Sequence, residues 1–168
     1  MLRRLIIMRH AKSSWKEPGA TDHERPLNKR GQREAPVVAA HLQEIGWTPE
    51  VVLCSDATRT RETAELMLET LQPRPAPSYY ASLYLGGIHE LREAVAALPD
   101  DVKIALALGH NPGWEGAVHW LSGQSVELAT SNAALLEFHG DTWRAALQGE
   151  HAWHLVDVVR PKALLSAD

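Results

Sequence analysis

Three short apolar runs recur in the first two thirds of the chain, and polar residues follow each of them. They are Leu5–Met8, Val51–Cys54 and Ile104–Leu108. Continuous runs of this length, rich in Ile, Val and Leu, are typical of strands that a parallel sheet buries on both faces. We therefore expect three central strands.

A helix is predicted between the first two runs. We expect it to begin near Glu34, because Pro36 is tolerated only in the first turn of a helix, and to end at Gly46. The polar segment before it, KEPGATDHERPLNKRG, is predicted to be a long loop. The apolar face of the helix consists of Val38, Leu42 and Ile45.

Helical spacing also follows the second and third runs. Ser55 and Asp56 are predicted to cap a helix whose apolar positions are Ala64, Met67, Leu68 and Leu71. A strand is expected near Ser78–Ala81 and a helix over His89–Leu98. A further helix is expected from Pro112, which suits a first helical turn, to Leu121.

The last third of the chain has the alternation of antiparallel strands. We expect strands at Ala133–Phe138, Trp143–Leu147 and Trp153–Val159, with a turn at residues 139–141. Strands that alternate with helices form βαβ units. The predicted fold is α/β: a three-layer αβα sandwich, with a mostly parallel central sheet, helices on both faces and an antiparallel C-terminal part.

Composition narrows the class of protein. The chain has 168 residues and a formal net charge of −4, and its charges are interspersed. We therefore expect no nucleic-acid partner and no membrane attachment. The apolar run near the start is too short for a signal peptide, and Cys54 is the single cysteine. These features predict a cytoplasmic protein.

Each apolar run leads into residues that bind anions. Arg9 and His10 directly follow the first run, Arg59 comes shortly after the second, and His110 after the third. The carboxyl ends of parallel strands meet at one edge of a sheet, where ligands bind. Arginine holds two phosphoryl oxygens at once, and histidine can attack phosphorus or donate to the transition state. The pattern predicts a phosphoryl site.

These motifs, in this order, resemble the histidine phosphatase superfamily (phosphoglycerate mutase-like). M-R-H-A at Met8–Ala11 is similar to its R-H-G signature, with Ala11 where most members have glycine. S-D-A-T-R-T-R-E-T-A at Ser55–Ala64 resembles its second arginine motif, and G-H-N-P at Gly109–Pro112 its second histidine motif. E-R-P-L-N-K-R-G at Glu24–Gly31 is similar to a loop of the small bacterial branch, the phosphohistidine phosphatases (SixA-like).

The resemblance implies a role for each matching residue. His10 would be the phosphorylated nucleophile, and Arg9, Arg59 and His110 would hold the phosphoryl group. By the same analogy, Arg25 and Asn111 would bind substrate. The resemblance also implies a single histidine phosphatase domain over residues 1–168, without a cofactor.

One feature of the superfamily is missing at its usual place. Larger members carry a glutamate in an L-x-E context that protonates an alkoxide leaving group, but this region reads S-L-Y-L-G-G. Asp22, Glu24 and Glu90 are the candidate acids. An imidazole leaves with much less help, because its conjugate acid has a pKa of ~6.5. A protein phosphohistidine phosphatase is therefore favoured.

Two alternatives stay open at this stage. The first is a small-molecule phosphomonoesterase on the same scaffold, which would need a working acid and a small phosphate ester as substrate. The second is a phosphate-binding module without turnover. We expect no metal, because no Walker loop or acidic cluster occurs and the H-x-x-H of His151 and His154 lacks a third ligand. Trp15 or Trp114 is expected at the rim of the site.

Overall fold

The computed structural model describes residues 1–166. Its strands are β1 (Leu2–Arg9), β2 (Val51–Ser55), β3 (Ala76–Tyr80), β4 (Ile104–Gly109), β5 (Ala133–His139) and β6 (His154–Val159). Its helices are α1 (Lys29–Glu44), α2 (Thr58–Thr70), α3 (Ile88–Ala96), α4 (Gly113–Ser122), α5 (Trp143–Ala146) and α6 (Pro161–Ser166). A 3₁₀ turn at Ala81–Leu83 follows β3.

The six strands form one mixed sheet in the order β3-β2-β4-β1-β5-β6. β1 and β4 are parallel neighbours at its centre, with Arg9 opposite Gly109, and β2 lies parallel to β4 on the other side. β5 pairs antiparallel with both β1 and β6, so it alone among the described strands runs in the opposite direction. The predicted α/β class, mostly parallel with an antiparallel C-terminal part, is confirmed.

The alternation of side chains along β1 builds the two halves of the core. Leu5 and Ile7 pack with the apolar faces of α3, α4 and α5, whereas Ile6 and Met8 pack with those of α1 and α2. All four β1 side chains are fully buried. Burying each stabilises the fold by about 1.5–3 kcal/mol before entropy is counted. Helices therefore cover both faces of the sheet, as a three-layer sandwich requires.

Helix α1 begins five residues earlier than expected. The side chain of Asn28 accepts a hydrogen bond from the backbone nitrogen of Gly31 at 2.9 Å and caps the helix, which starts at Lys29. The prediction of a start near Glu34 was wrong because it rested on Pro36, which lies inside the helix. A helix that is capped and well packed tolerates the loss of the one backbone hydrogen bond that proline cannot make.

The segment Trp143–Leu147, predicted as a strand, forms the short helix α5 (Trp143–Ala146) and its C-cap residue instead. Thr142 caps it, because its hydroxyl accepts a hydrogen bond from the backbone nitrogen of Ala145 at 3.0 Å. Trp143 and Ala146, one helical turn apart, are both buried against the sheet. The other predicted strands and helices are present with boundaries shifted by a few residues, and the C-terminal helix α6 was not predicted. Within residues 1–166, no helix is both long and apolar enough to cross a membrane.

Candidate active site

A cavity of about 280 Å³ opens at the carboxyl ends of the central strands β1, β2 and β4. The parallel arrangement brings the residues that follow these strands to one edge of the sheet, as expected from the sequence. All six residues that the sequence predicted for the site line this cavity: Arg9, His10, Arg25, Arg59, His110 and Asn111.

His10 is held with one ring nitrogen toward the backbone. Its Nδ1 lies 2.7 Å from the carbonyl oxygen of Ala11. A carbonyl oxygen only accepts, so Nδ1 carries the hydrogen and the lone pair of the neutral ring is on Nε2. Burial lowers the pKa of the ring to about 3, and the positive charges of Arg59 and Arg9 act in the same direction. His10 is therefore neutral at pH 7, with Nε2 available as a nucleophile.

Arg59 connects the two histidines of the cavity. It is the second residue of α2 and is 3% exposed. Its Nε donates to Nε2 of His10, and its Nη2 faces Nδ1 of His110, both at 3.3 Å. The ring centroids of His10 and His110 are 5.2 Å apart. One guanidinium therefore lies beside both imidazoles, where it could hold a phosphoryl group between them.

His110 is oriented from behind by Ser55. The Oγ of Ser55 lies 2.7 Å from Nε2 of His110. Because Arg59 can only donate to Nδ1, the proton of the neutral ring is on Nε2 and is donated to Ser55. Burial lowers the pKa of His110 to about 3, with His10 and Arg59 as further causes. The prediction that Ser55 and Asp56 cap α2 was wrong, because Ala57 occupies the N-cap position and makes no side-chain hydrogen bond.

A single backbone carbonyl positions Arg9 and Asn111. The oxygen of Leu128 accepts from Nη1 of Arg9 at 3.1 Å and from Nδ2 of Asn111 at 2.7 Å. The Nε of Arg9 is buried and has no hydrogen-bond partner among the described residues. Burial lowers the pKa of Arg9 from its usual value, and the charge of Arg59 adds to this effect. Leaving a buried donor unpaired is unfavourable, so an anion at Arg9 would be bound favourably.

Asp22 is the candidate acid that the structure brings into the cavity. Its backbone oxygen accepts from Nη1 of Arg59 at 2.6 Å, and its Oδ2 accepts from Nη2 of Arg59 at 3.2 Å. The hydroxyl of Tyr84 donates to Oδ2 at 2.6 Å, and Arg25 pairs with Oδ1 at 3.0 Å. The Tyr84 hydrogen bond and these arginines lower the pKa of Asp22 to about 2. The carboxyl group is thus ionised at pH 7.

The other two candidate acids lie outside the cavity. Oε1 of Glu24 accepts from the hydroxyl of Thr21 at 2.7 Å on the exposed part of the loop. Oε1 of Glu90 accepts from the backbone nitrogen of Gly87 at 2.8 Å and closes the first turn of α3. Neither carboxylate lines the cavity that contains His10.

The two tryptophans expected at the rim have different positions. Trp15 lines the mouth of the cavity and is 75% exposed. Trp114 is fully buried, and its indole nitrogen donates to the carbonyl oxygen of Ala107 at 3.1 Å, so its placement at the rim was wrong. In the described part of the chain, no group of three or more His, Cys, Asp or Glu side chains is arranged to hold a metal ion.

Two of the contacts in the site were missed by the sequence-based reasoning. The sequence pattern predicts Ser55 as a helix cap and predicts no role for Tyr84. Ser55 closes a buried strand, directly before the polar residues that lead to Arg59, so its position at a strand end was the available signal. Tyr84 lies 62 residues from Asp22, and no local pattern connects them.

Comparisons with known proteins agree with this geometry. The sequence profile of the histidine phosphatase superfamily (branch 1) matches residues 5–78. A chloroplastic protein of Arabidopsis thaliana, itself uncharacterised, is 40% identical over 170 residues, which cover 95% of this chain and 78% of that protein. The chain belongs to the histidine phosphatase superfamily.

Solved structures show which members of the superfamily have a similar fold. A candidate phosphohistidine phosphatase SixA from Nakamurella multipartitia is 29% identical, with a TM-score of 0.84 over 96% of this chain and 97% of that one. The protein histidine phosphatase SixA in complex with tungstate has a TM-score of 0.82 over 96% and 99% of the two chains. Its identity of 22% is low, so it supports the fold alone. The fold is therefore that of the SixA-like, phosphoglycerate mutase-like phosphatases.

Proposed function

We propose that this protein is a protein phosphohistidine phosphatase that acts through a phosphorylated His10. The observation that carries the proposal is the position of His10, whose Nδ1 lies 2.7 Å from the carbonyl oxygen of Ala11 and whose Nε2 lies in the cavity, 3.3 Å from Nε of Arg59. Nucleophilic catalysis needs an unprotonated nitrogen beside groups that bind the phosphoryl oxygens. Arg9 and Arg59 are those groups. A bound phosphoryl dianion favours the protonated form of His110, whose Nδ1–H then donates to the same oxygens, and Arg25 and Asn111 complete the binding surface.

The reaction has two displacement steps. The phosphoryl group enters the cavity, and its oxygens take over the guanidinium hydrogens that Asp22 accepts in the structure. Nε2 of His10 attacks phosphorus in line, and the bond from phosphorus to the substrate nitrogen breaks. The substrate ring enters protonated on its other nitrogen and leaves as neutral imidazole with the electron pair of the broken bond. Water then attacks phosphorus, the bond to His10 breaks, and phosphate departs. Arg9 and Arg59 stabilise the charge in both transition states, together with His110 in the protonated form that the bound dianion favours.

The leaving group is the reason for preferring phosphohistidine to a phosphate ester. An alkoxide needs a proton in the transition state, whereas an imidazole needs much less help. Asp22 lines the cavity, but Tyr84 and Arg59 hold its carboxyl group in the ionised form. The likeness to the candidate SixA of Nakamurella multipartitia supports the same substrate class.

Three further parts of the proposal concern the protein as a whole. We assign the activity to a single domain over residues 1–168, because the site draws on residues from β1 to the loop before β5. Arginine side chains supply the positive charge at the site, which supports a reaction without metal or cofactor. The single, buried Cys54 suits a reducing compartment such as the cytoplasm.

A second candidate function is a small-molecule phosphomonoesterase. The observation in its favour is the position of Asp22, a carboxyl group that lines the same cavity as His10. If a bound dianion raised the pKa of Asp22 sufficiently, this residue could protonate an alkoxide. The reaction would then extend to phosphate esters.

A substrate panel separates the two functions. Wild-type protein is assayed on a phosphohistidine-containing protein, a phosphohistidine peptide and common sugar phosphates, each with and without EDTA. We expect turnover of the phosphohistidine substrates, unchanged by EDTA, and poor turnover of the esters. Good turnover of an ordinary ester would favour the phosphomonoesterase, and activity restored only by a divalent ion would overturn the metal-free mechanism.

A further inference from the structure

Two large apolar side chains stand exposed at the mouth of the cavity. Trp15 is 75% exposed and Leu85 is 63% exposed, and both line the cavity that contains His10. Single exposed apolar residues are common and need no explanation. These two belong to different loops, yet they flank the same opening above an otherwise charged pocket. The feature to be explained is that two exposed apolar side chains from different loops lie at the mouth of one cavity.

The backbone conformation of Leu85 is also unfavourable for a leucine. Its φ angle is +57°, in the left-handed region that suits glycine or asparagine and that leucine rarely adopts. The turn is closed by a hydrogen bond from the backbone nitrogen of Gly86 to the oxygen of Leu83 at 3.2 Å. Gly86 in turn packs against the backbone of Gly113 at the start of α4. The fold thus holds an exposed leucine over the cavity although the side chain gains little from packing.

Trp15 is fixed by the binding residues themselves. The guanidinium carbon of Arg25 lies 3.4 Å from the centroid of the indole ring. Arg25 is held in that place by Oγ of Ser13 at 2.8 Å and by the carboxylate of Asp22. One face of the indole therefore covers a cationic group of the cavity, while most of the ring remains open to solvent. The ring is oriented before any substrate arrives.

We propose that Trp15 and Leu85 form an apolar rim that binds the imidazole ring and neighbouring chain of a phosphohistidine on a protein. The inference rests on the proposed function. When the phosphoryl group lies against His10 and Arg59, the group attached to phosphorus must project through the mouth between the loops that carry Trp15 and Leu85. A flat ring on a polypeptide can stack on the indole of Trp15 and bury apolar surface against the side chain of Leu85. A sugar, whose hydroxyl groups need hydrogen-bond partners, would lose solvation there without gaining any.

The rim is tested by comparing two substrates that share the phosphorus–nitrogen bond. Phosphoramidate has no ring and no chain, whereas a phosphohistidine-containing protein has both. The variants are Trp15→Ala, Trp15→Phe and Leu85→Asn, the last because asparagine tolerates the backbone conformation of residue 85. Ile45→Ala, which alters an exposed apolar residue just beyond the end of α1, is the matched control.

We expect Trp15→Ala and Leu85→Asn each to raise KM for the phosphohistidine protein about tenfold with little change in kcat. KM for phosphoramidate should not change. Trp15→Phe, which keeps an aromatic ring, should raise KM for the phosphohistidine protein less than Trp15→Ala does, and Ile45→Ala should behave as wild type. Equal effects on both substrates would show that the rim acts through Arg25 and would overturn the proposal, as would no effect on either. If wild type hydrolyses phosphoramidate but not the phosphohistidine protein, the proposed function itself fails, and the rim with it.

Discussion

Nε of Arg59 lies 3.3 Å from Nε2 of His10, the ring nitrogen whose lone pair would attack phosphorus. The same guanidinium reaches Nδ1 of His110 through Nη2, also at 3.3 Å. Arg59 therefore holds the nucleophile and the second histidine in fixed positions relative to each other. When phosphoryl oxygens accept from Arg59, the lone pair of His10 is released for attack.

Replacing Arg59 with lysine tests this bridging geometry. Lysine keeps the positive charge but offers one compact group in place of a planar fork, so it cannot contact His10, His110 and phosphate together. We expect kcat/KM for a phosphohistidine substrate to fall by about 10²-fold or more. Arg61→Lys, two residues further along α2 and exposed, is the matched control and should stay within about threefold of wild type. If Arg59→Lys also stayed within about threefold of wild type, the bridging role of Arg59 would be contradicted.

Ser55→Ala tests the orientation of His110. The change removes the oxygen that accepts from Nε2 of His110 at 2.7 Å and leaves a buried donor without a partner. Because such a loss costs about 1–3 kcal/mol, we expect kcat/KM to fall about 5- to 150-fold. The thermal midpoint of unfolding measures the structural part of the effect. Ser78→Ala, in the neighbouring strand β3, should keep full activity. Full activity of Ser55→Ala would show that His110 needs no such support.

The candidate acids are tested by removing their charges one at a time. Asp22→Asn, Glu24→Gln and Glu90→Gln should each lower kcat on phosphohistidine by less than the ~10²–10⁴-fold that general acid catalysis contributes. Asp22→Asn should in addition bind inorganic phosphate more tightly, because it removes a negative charge that contacts Arg59 at 3.2 Å. Competitive inhibition by phosphate measures this affinity.

The result that contradicts this account is a large loss of kcat for one carboxylate together with good turnover of an ordinary phosphate ester. The protein would then have a working general acid. The assignment would pass to the small-molecule phosphomonoesterase, with Asp22 as the first candidate because it alone of the three carboxylates lines the cavity.

The lowered pKa values of the two histidines predict how stability depends on pH. Burial holds the pKa of His10 and of His110 at about 3, against ~6.5 in the unfolded chain. Below pH 6.5 the unfolded chain binds protons that the folded protein does not, so the free energy of unfolding falls as the pH drops toward 3. From pH 7 to pH 5, each histidine accounts for a loss of about 2 kcal/mol.

Urea unfolding at pH 7 and pH 5, in buffer without phosphate, measures this dependence. His10→Gln should lose about 2 kcal/mol less than wild type between the two pH values. His139→Gln, which changes an exposed histidine at the opposite end of β1, should lose as much as wild type. Equal losses in all three proteins would mean that His10 is protonated in the folded state near neutral pH.

The central strands and the residues at their ends were predictable because both are local features. An unbroken apolar run such as Leu5–Met8, rich in isoleucine, is typical of a buried strand, and the direction of parallel strands then brings Arg9 and His110 to one edge. The predicted start of α1 was wrong because the preference of proline for a first helical turn is weaker than the cap that Asn28 provides. The segment Trp143–Leu147 was wrong because a run so short fits either a strand or a helical turn.

The contacts that depend on distant parts of the chain were not predictable. Asp22 meets Arg59 and Tyr84 only after the loop folds over the end of β2, and nothing in the sequence around Asp22 indicates those partners. The same holds for Leu128, whose carbonyl oxygen positions Arg9 from 119 residues away. The sequence therefore indicates which residues form the site. It does not indicate their ionisation states, because these depend on contacts that exist only in the folded protein.

The central claim, that His10 carries the phosphoryl group, is tested most directly by trapping the intermediate. Wild type is quenched during steady-state turnover under denaturing alkaline conditions, which preserve phosphohistidine, and the modified peptide is identified by mass spectrometry. We predict a phosphoryl group on the peptide that contains His10. His10→Ala should show none and should have no turnover, yet still bind vanadate through Arg9, Arg59 and His110, while His139→Ala should be labelled as wild type. A phosphoryl group on another residue, or a tenth of wild-type activity in His10→Ala, would contradict the account.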